Sequence, residues 1–95
     1  MVIAYEPVFA IGKNATALSP TDVHEMSLYI RKVLRDIVAP TVAQTLPILY
    51  GGSVAPEHAD AIVSEGAVQG LLVGRQSLDT ASFTSILRAV DKVKT

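Results

Sequence analysis

The sequence predicts an α/β protein built on a parallel sheet with helices outside it. Three observations predict this. Short apolar runs recur at residues 2–5, 47–50 and 71–73. Each is cut off by a proline or glycine: Pro7, Gly51-Gly52 and Gly74. Each break is followed by a helix signal, so the order is β-loop-α three times. Strands that are apolar throughout and alternate with helices imply parallel pairing, burial on both faces and right-handed crossovers.

The elements follow from local chemistry. Pro7 cannot donate to a strand ladder, and it biases Glu6 toward extended backbone, so the first strand stops there. Residues 7–18 read as a loop, with Gly12 and Asn14 as its pliable points. Ser19-Pro20-Thr21-Asp22 starts a helix: Ser19 is the N-cap, Pro20 fits the first helical position, and Asp22 sits near the positive helix end. Val23, Met26, Ile30, Val33, Leu34 and Ile37 form one apolar stripe, which predicts a helix of about five turns stopped by Pro40. Pro56 opens a second helix with Ala59, Ile62 and Val63 inward and Gly66 as C-terminal cap. Asp79 caps a last helix whose stripe is Phe83, Ile86, Leu87 and Val90.

Composition narrows the function. Ninety-five residues, 49% of them hydrophobic, make one small domain with a real core. Eight basic residues against nine acidic ones give a net charge of −1, with no basic run. That is no footprint for nucleic acid or an anionic membrane. There is no cysteine, so disulfides and thiolate metal sites are excluded, which suits the cytoplasm. No apolar run approaches the length of a membrane span.

In parallel α/β sheets, ligands gather at the carboxyl ends of the strands. Those ends carry Glu6, Gly51-Gly52-Ser53 and Gly74, while the opposite ends carry nothing notable. A carboxylate at the mouth of an apolar sheet is partly shielded from water, which makes it a better base. The plain alternative is a loop acid paired with a lysine or capping a helix. Glycines let main-chain N–H groups converge on an anion, and two glycine turns after consecutive strands suit a phosphate cradle. Tight turns also use glycine without any ligand. Phe9, Ala10 and Ile11 are too apolar for ordinary loop surface. A lid that closes over a ligand would bury them, and so would packing against a neighbour. His24, His58 and Lys13 read as solvated surface, with no metal-ligand spacing. Tyr5 and Tyr50 read as packing residues, and the Tyr50 hydroxyl needs a partner.

The stretches "AYEPVFAIG" (4–12), "YGGSV" (50–54) and "LLVGRQSL" (71–78) closely resemble the C-terminal part of triosephosphate isomerase, in order and spacing across nearly the whole chain. The resemblance implies a (β/α)8 barrel, of which residues 1–95 would be one partial segment, the sixth to eighth βα units. It implies interconversion of dihydroxyacetone phosphate and glyceraldehyde 3-phosphate without metal or cofactor, in glycolysis and gluconeogenesis. Glu6 matches the carboxylate that shuttles the proton. The family is itself a standard example of such a base, working with a neutral histidine and a closing loop. Residues 7–15 match the lid, with Pro7, Val8, Phe9, Ala10, Ile11, Gly12 and Lys13 as its named residues. Main-chain N–H groups of Gly12, Ser53 and Gly74 match the phosphate holders, and Tyr50 and Ser53 match residues that bond the closed lid.

The chain also departs from the family. Phe9 stands where tryptophan is usual, the lid lacks the usual Gly-Thr-Gly-Lys stretch, and Arg75 replaces a second glycine, where its charge could bind the phosphate or its bulk obstruct it. The asparagine and lysine near the family's first strand and the histidine of its middle portion have no counterpart. Three parallel strands do not close a barrel. Their inner face and both edges stay open, so the expectation is a fragment completed by a missing N-terminal part, or copies that associate. The expected ligand is a triose phosphate or a simple phosphate or sulfate anion. Without the missing groups the isolated chain is expected to have little or no isomerase activity. The competing expectations are a non-catalytic phosphate-binding or self-assembling βα module, and another phosphate-binding barrel enzyme, which "YEPV" before "AIG" does not fit.

Overall fold

The structure, a computed structural model, describes residues 1–7 and 18–94. Strand β1 (Ile3–Tyr5) leads to helix α1 (Pro20–Leu34). A short helix α2 (Pro40–Thr45), strand β2 (Ile48–Tyr50) and helix α3 (Pro56–Glu65) follow. Strand β3 (Gly70–Leu71), a 3-10 turn (Arg75–Leu78) and helix α4 (Thr80–Lys94) complete the chain. The strands form one parallel sheet in the order β1-β2-β3, with Ile3 beside Ile48, Tyr5 beside Tyr50, and Tyr50 beside Leu71.

The helix starts are those the residues dictate. Ser19 Oγ accepts the Asp22 N–H at 3.1 Å, and Pro20 occupies the first turn of α1. Asp79 caps α4: its carbonyl accepts from Phe83 N–H and its carboxylate from Ser82. These contacts satisfy donors that the first helical turn leaves unpaired.

Three expectations need correction, and the Gly66 cap stands. The predicted five-turn helix ends at Leu34, and Pro40 opens α2 instead of merely stopping α1. Ile37 therefore lies beyond the helix and is 71% exposed. The third strand pairs only through Gly70 and Leu71, not through residues 71–73. Gly66 does cap α3, but in right-handed geometry (φ −83°); the left-handed residue is its neighbour Ala67 (φ 57°). Glycine stands at 66 because a Cβ there would lie 2.3 Å from Ile62 O and 2.9 Å from Val23 Cγ1. Finally, the sheet is covered on one face only. Ile48 and Tyr50 are fully buried among Val23, Val54, Ala59, Ile62, Val68 and Ile86, and Ile3, Tyr5 and Leu71 pack on that cluster. The alternate residues Ala4 and Leu72 are exposed. Helices fill one side; among the described residues nothing fills the other.

The end of the sheet away from Glu6 is not featureless. Arg31 Nη1 donates to the carbonyls of Ala43 (3.0 Å) and Leu46 (2.8 Å), and Nη2 to Gln69 Oε1 (2.8 Å). That same oxygen accepts the Ile48 N–H at 2.8 Å. One guanidinium thus ties α1, the end of α2 and the starts of β2 and β3 together. Buried Ser27 adds a bond to Gly66 O, and His24, exposed as expected, donates through Nδ1 to Glu65 O at 3.0 Å. His58 is likewise exposed, as expected.

Candidate functional site

Glu6, Gly51 and Leu72 are the residues that follow register partners in the three strands. The main chain holds them side by side: Gly51 N–H donates to Tyr5 O at 2.8 Å, and Leu72 N–H to Tyr50 O at 2.9 Å. Glu6, Gly51-Gly52-Ser53 and Gly74 therefore share one edge of the sheet. Alternation turns Glu6 away from the helix-covered face that Tyr5 occupies.

The Glu6 side chain lies along Gly51. A Cβ at Gly51 would come within 2.8 Å of Glu6 Cγ and 3.0 Å of its Oε1. The carboxylate itself is exposed, not shielded as the sequence suggested. The physical reason is the open face: no described wall stands opposite it to keep water away. Pro7 is buried. The other lid residues, Val8, Phe9, Ala10, Ile11, Gly12 and Lys13, lie outside the described residues.

Tyr50 is fully buried, its ring tilted 52° to that of Tyr5 at 6.2 Å between centroids. Among the described residues its hydroxyl has no hydrogen-bond partner. Burial pushes the phenol's pKa upward; the Leu18 N–H pulls it the other way, near enough to act but not in hydrogen-bonding geometry. The hydroxyl sits beneath Gly52, where a Cβ would lie 2.3 Å from it. Ser53 and Arg75 are exposed, Arg75 at the start of the 3-10 turn. A Cβ at Gly74 would meet nothing within 4 Å among the described residues, so their packing does not call for glycine there and leaves room for an anion. The different neighbours of the two adjacent glycines, Glu6 for Gly51 and Tyr50 for Gly52, were not legible in the sequence, where both read as cradle.

Among the described residues no group of three or more His, Asp or Glu side chains is arranged to hold a metal, and no described helix is long and apolar enough to cross a membrane. Two apolar clefts flank the sheet. One, beside β1, is lined by Tyr5, Leu18, Met26 and Tyr29; the other, beside β3, by Leu71, Val73, Phe83 and Leu87.

A parallel sheet with helices on one face, and with a carboxylate and glycine turns at its carboxyl edge, defines an α/β protein of the βα-repeat class. The model of the family "Triosephosphate isomerase" matches residues 1–90. The chain is 44% identical over 89 residues to a triosephosphate isomerase of Mycoplasmoides gallisepticum. That match covers 94% of this chain and 35% of the relative. The chain belongs to the triosephosphate isomerase family, and it spans about a third of the length of this curated relative.

Proposed function

We propose that this chain is the C-terminal part of a triosephosphate isomerase, its sixth to eighth βα units. Glu6 is the base. Its carboxylate takes a proton from the carbon beside the carbonyl of a triose phosphate and returns it to the former carbonyl carbon, while the hydroxyl proton passes to the former carbonyl oxygen through the enediolate. Dihydroxyacetone phosphate and glyceraldehyde 3-phosphate interconvert with no net gain or loss of atoms. Main-chain N–H groups of Gly12, Ser53 and Gly74 hold the phosphate, with the Arg75 charge beside it. Residues 7–13 form a lid, and the closed lid supplies the partner that the Tyr50 hydroxyl lacks. The same reading sets the chain in the cytoplasm, among the enzymes of glycolysis and gluconeogenesis.

The observation that carries this reading is the contact of Glu6 with Gly51 at the sheet edge where the glycine turns begin. The unpartnered hydroxyl of Tyr50 and the clefts beside β1 and β3 support it, since neighbouring βα units would fill those clefts. The developing enediolate needs electrophilic partners that nothing in these 95 residues matches. Loss of one such partner commonly costs about 10²–10³ in rate, so the chain alone turns over little or no substrate.

A chimera tests this: the chain replaces its matching segment in the M. gallisepticum relative, and isomerisation is assayed. Turnover is expected, falling about 10²–10⁴-fold on Glu6→Gln. Unchanged turnover in Glu6→Gln would sink the assignment of the base. Family-like turnover by the 95-residue chain alone would sink the claim that it is incomplete. One set of observations favours a second reading for the isolated chain: both sheet edges are open and flanked by apolar clefts, which suits copies that self-associate around a phosphate site. Size-exclusion chromatography decides it, since a monomer at every concentration would exclude that module.

A further inference from the structure

We propose that Gly51 is a positioning residue for Glu6, and that its glycine neighbour Gly52 serves Tyr50 instead. The proposal rests on Glu6 being the base. The three atoms nearest a Cβ at Gly51 all belong to Glu6: Cγ at 2.8 Å, Oε1 at 3.0 Å and Cδ at 3.3 Å. Gly51 does not lie in the left-handed region, so no left-handed backbone calls for glycine there. The bond from Gly51 N–H to Tyr5 O fixes its main chain beside Glu6. What an added methyl group would meet first is therefore the Glu6 side chain, carboxylate included. Glu6 is exposed and swings aside freely, so the fold loses little while the base loses its place.

Gly52 is the opposite case. The atoms in the way there are the Tyr50 hydroxyl at 2.3 Å, Cζ at 2.6 Å and Cε2 at 3.0 Å. Tyr50 is fully buried in the core and cannot swing. A methyl group at 52 must strain packed structure. Two adjacent glycines that look alike in sequence thus have separable roles: the first holds the base in position, the second holds the fold together.

Gly51→Ala and Gly52→Ala in the chimera test this. Gly51→Ala is expected to leave the melting temperature within about 2 °C and the inhibition constant of inorganic phosphate unchanged. It lowers kcat by about 10–100-fold with KM nearly constant, because an ångström of misplacement at a reacting group can cost that much. Gly52→Ala is expected to lower the melting temperature clearly. If Gly51→Ala weakens phosphate binding, glycine 51 is part of the anion cradle and the proposal is overturned; unchanged kcat overturns it equally. A second measurement separates this from failure of the base assignment. In the 95-residue chain with carbon-13-labelled glutamate carboxyls, Gly51→Ala moves the Glu6 carboxyl resonance. A resonance that stays put refutes the contact whether or not the chimera is active.

Discussion

Tyr50→Phe is expected to stabilise this chain, against the usual direction of core substitutions. The ring stays, with its full burial and its contact with Tyr5 at 6.2 Å. Only the hydroxyl leaves, and that oxygen is buried with no hydrogen-bond partner among the described residues. Mutational data put the cost of such a group at about 1–3 kcal/mol. The nearby Leu18 N–H recovers part of that cost, so the gain belongs at the lower end, about 1 kcal/mol. For a domain of this size that raises Tm by about 4–8 °C. The pH dependence gives an independent reading. Burial raises the phenol's pKa above its ordinary 10.0, whereas the unfolded chain titrates at the ordinary value. A raised pKa contributes stability below pH 10 that is lost as pH rises beyond it, because the unfolded state then ionises first. The wild-type chain should lose stability above pH 10 more steeply than Tyr50→Phe. Circular-dichroism melts between pH 7 and 11 measure both quantities. A lower Tm for Tyr50→Phe at pH 7, or parallel alkaline limbs, would refute the account of an orphaned hydroxyl. In the chimera the same substitution is expected to lower kcat/KM, because on the proposed reading the Tyr50 hydroxyl bonds the closed lid.

Gly66→Ala is expected to destabilise by about 1–3 kcal/mol or more, because its Cβ would lie 2.3 Å from the main-chain oxygen of Ile62, which cannot move aside like a flexible side chain. Urea unfolding measures it. Arg31→Met keeps the aliphatic stem but leaves the carbonyls of Ala43 and Leu46 and the Gln69 side chain without their donor. The expected loss is about 2 kcal/mol, read as a lower urea midpoint at constant m-value, and Arg31→Lys should rescue little of it. Asp79→Asn should weaken the start of α4. Hydrogen bonds from Ser82 hold the Asp79 carboxyl below its ordinary 3.8, so its contribution is present above that pH and fades as pH falls further. Melting temperatures of the two proteins should therefore differ at pH 6 and converge on acidification.

Much of the fold was legible because it is written in short-range chemistry. Ser19-Pro20, Pro56 and Asp79 open helices through contacts spanning three or four residues, and Pro7, Gly51 and Gly74 end apolar runs by backbone geometry alone. The shared edge of Glu6, Ser53 and Gly74 follows from the same logic, since parallel strands place all their carboxyl ends together. Helix α2 was missed because six residues, Pro-Thr-Val-Ala-Gln-Thr, are too few to show an apolar stripe.

By itself, then, the order of residues determined where α1, α3 and α4 begin, the parallel arrangement of the strands and the edge that carries the candidate site. Only the tertiary structure decided which atoms meet. Arg31 reaches Gln69 across 38 positions, Gly51 makes room for Glu6 and Gly52 for Tyr50, and Glu6 is exposed because no described residue covers that face of the sheet. Local backbone preferences act over a few residues, whereas side-chain contact and solvent exposure depend on surfaces brought together from distant parts of the chain.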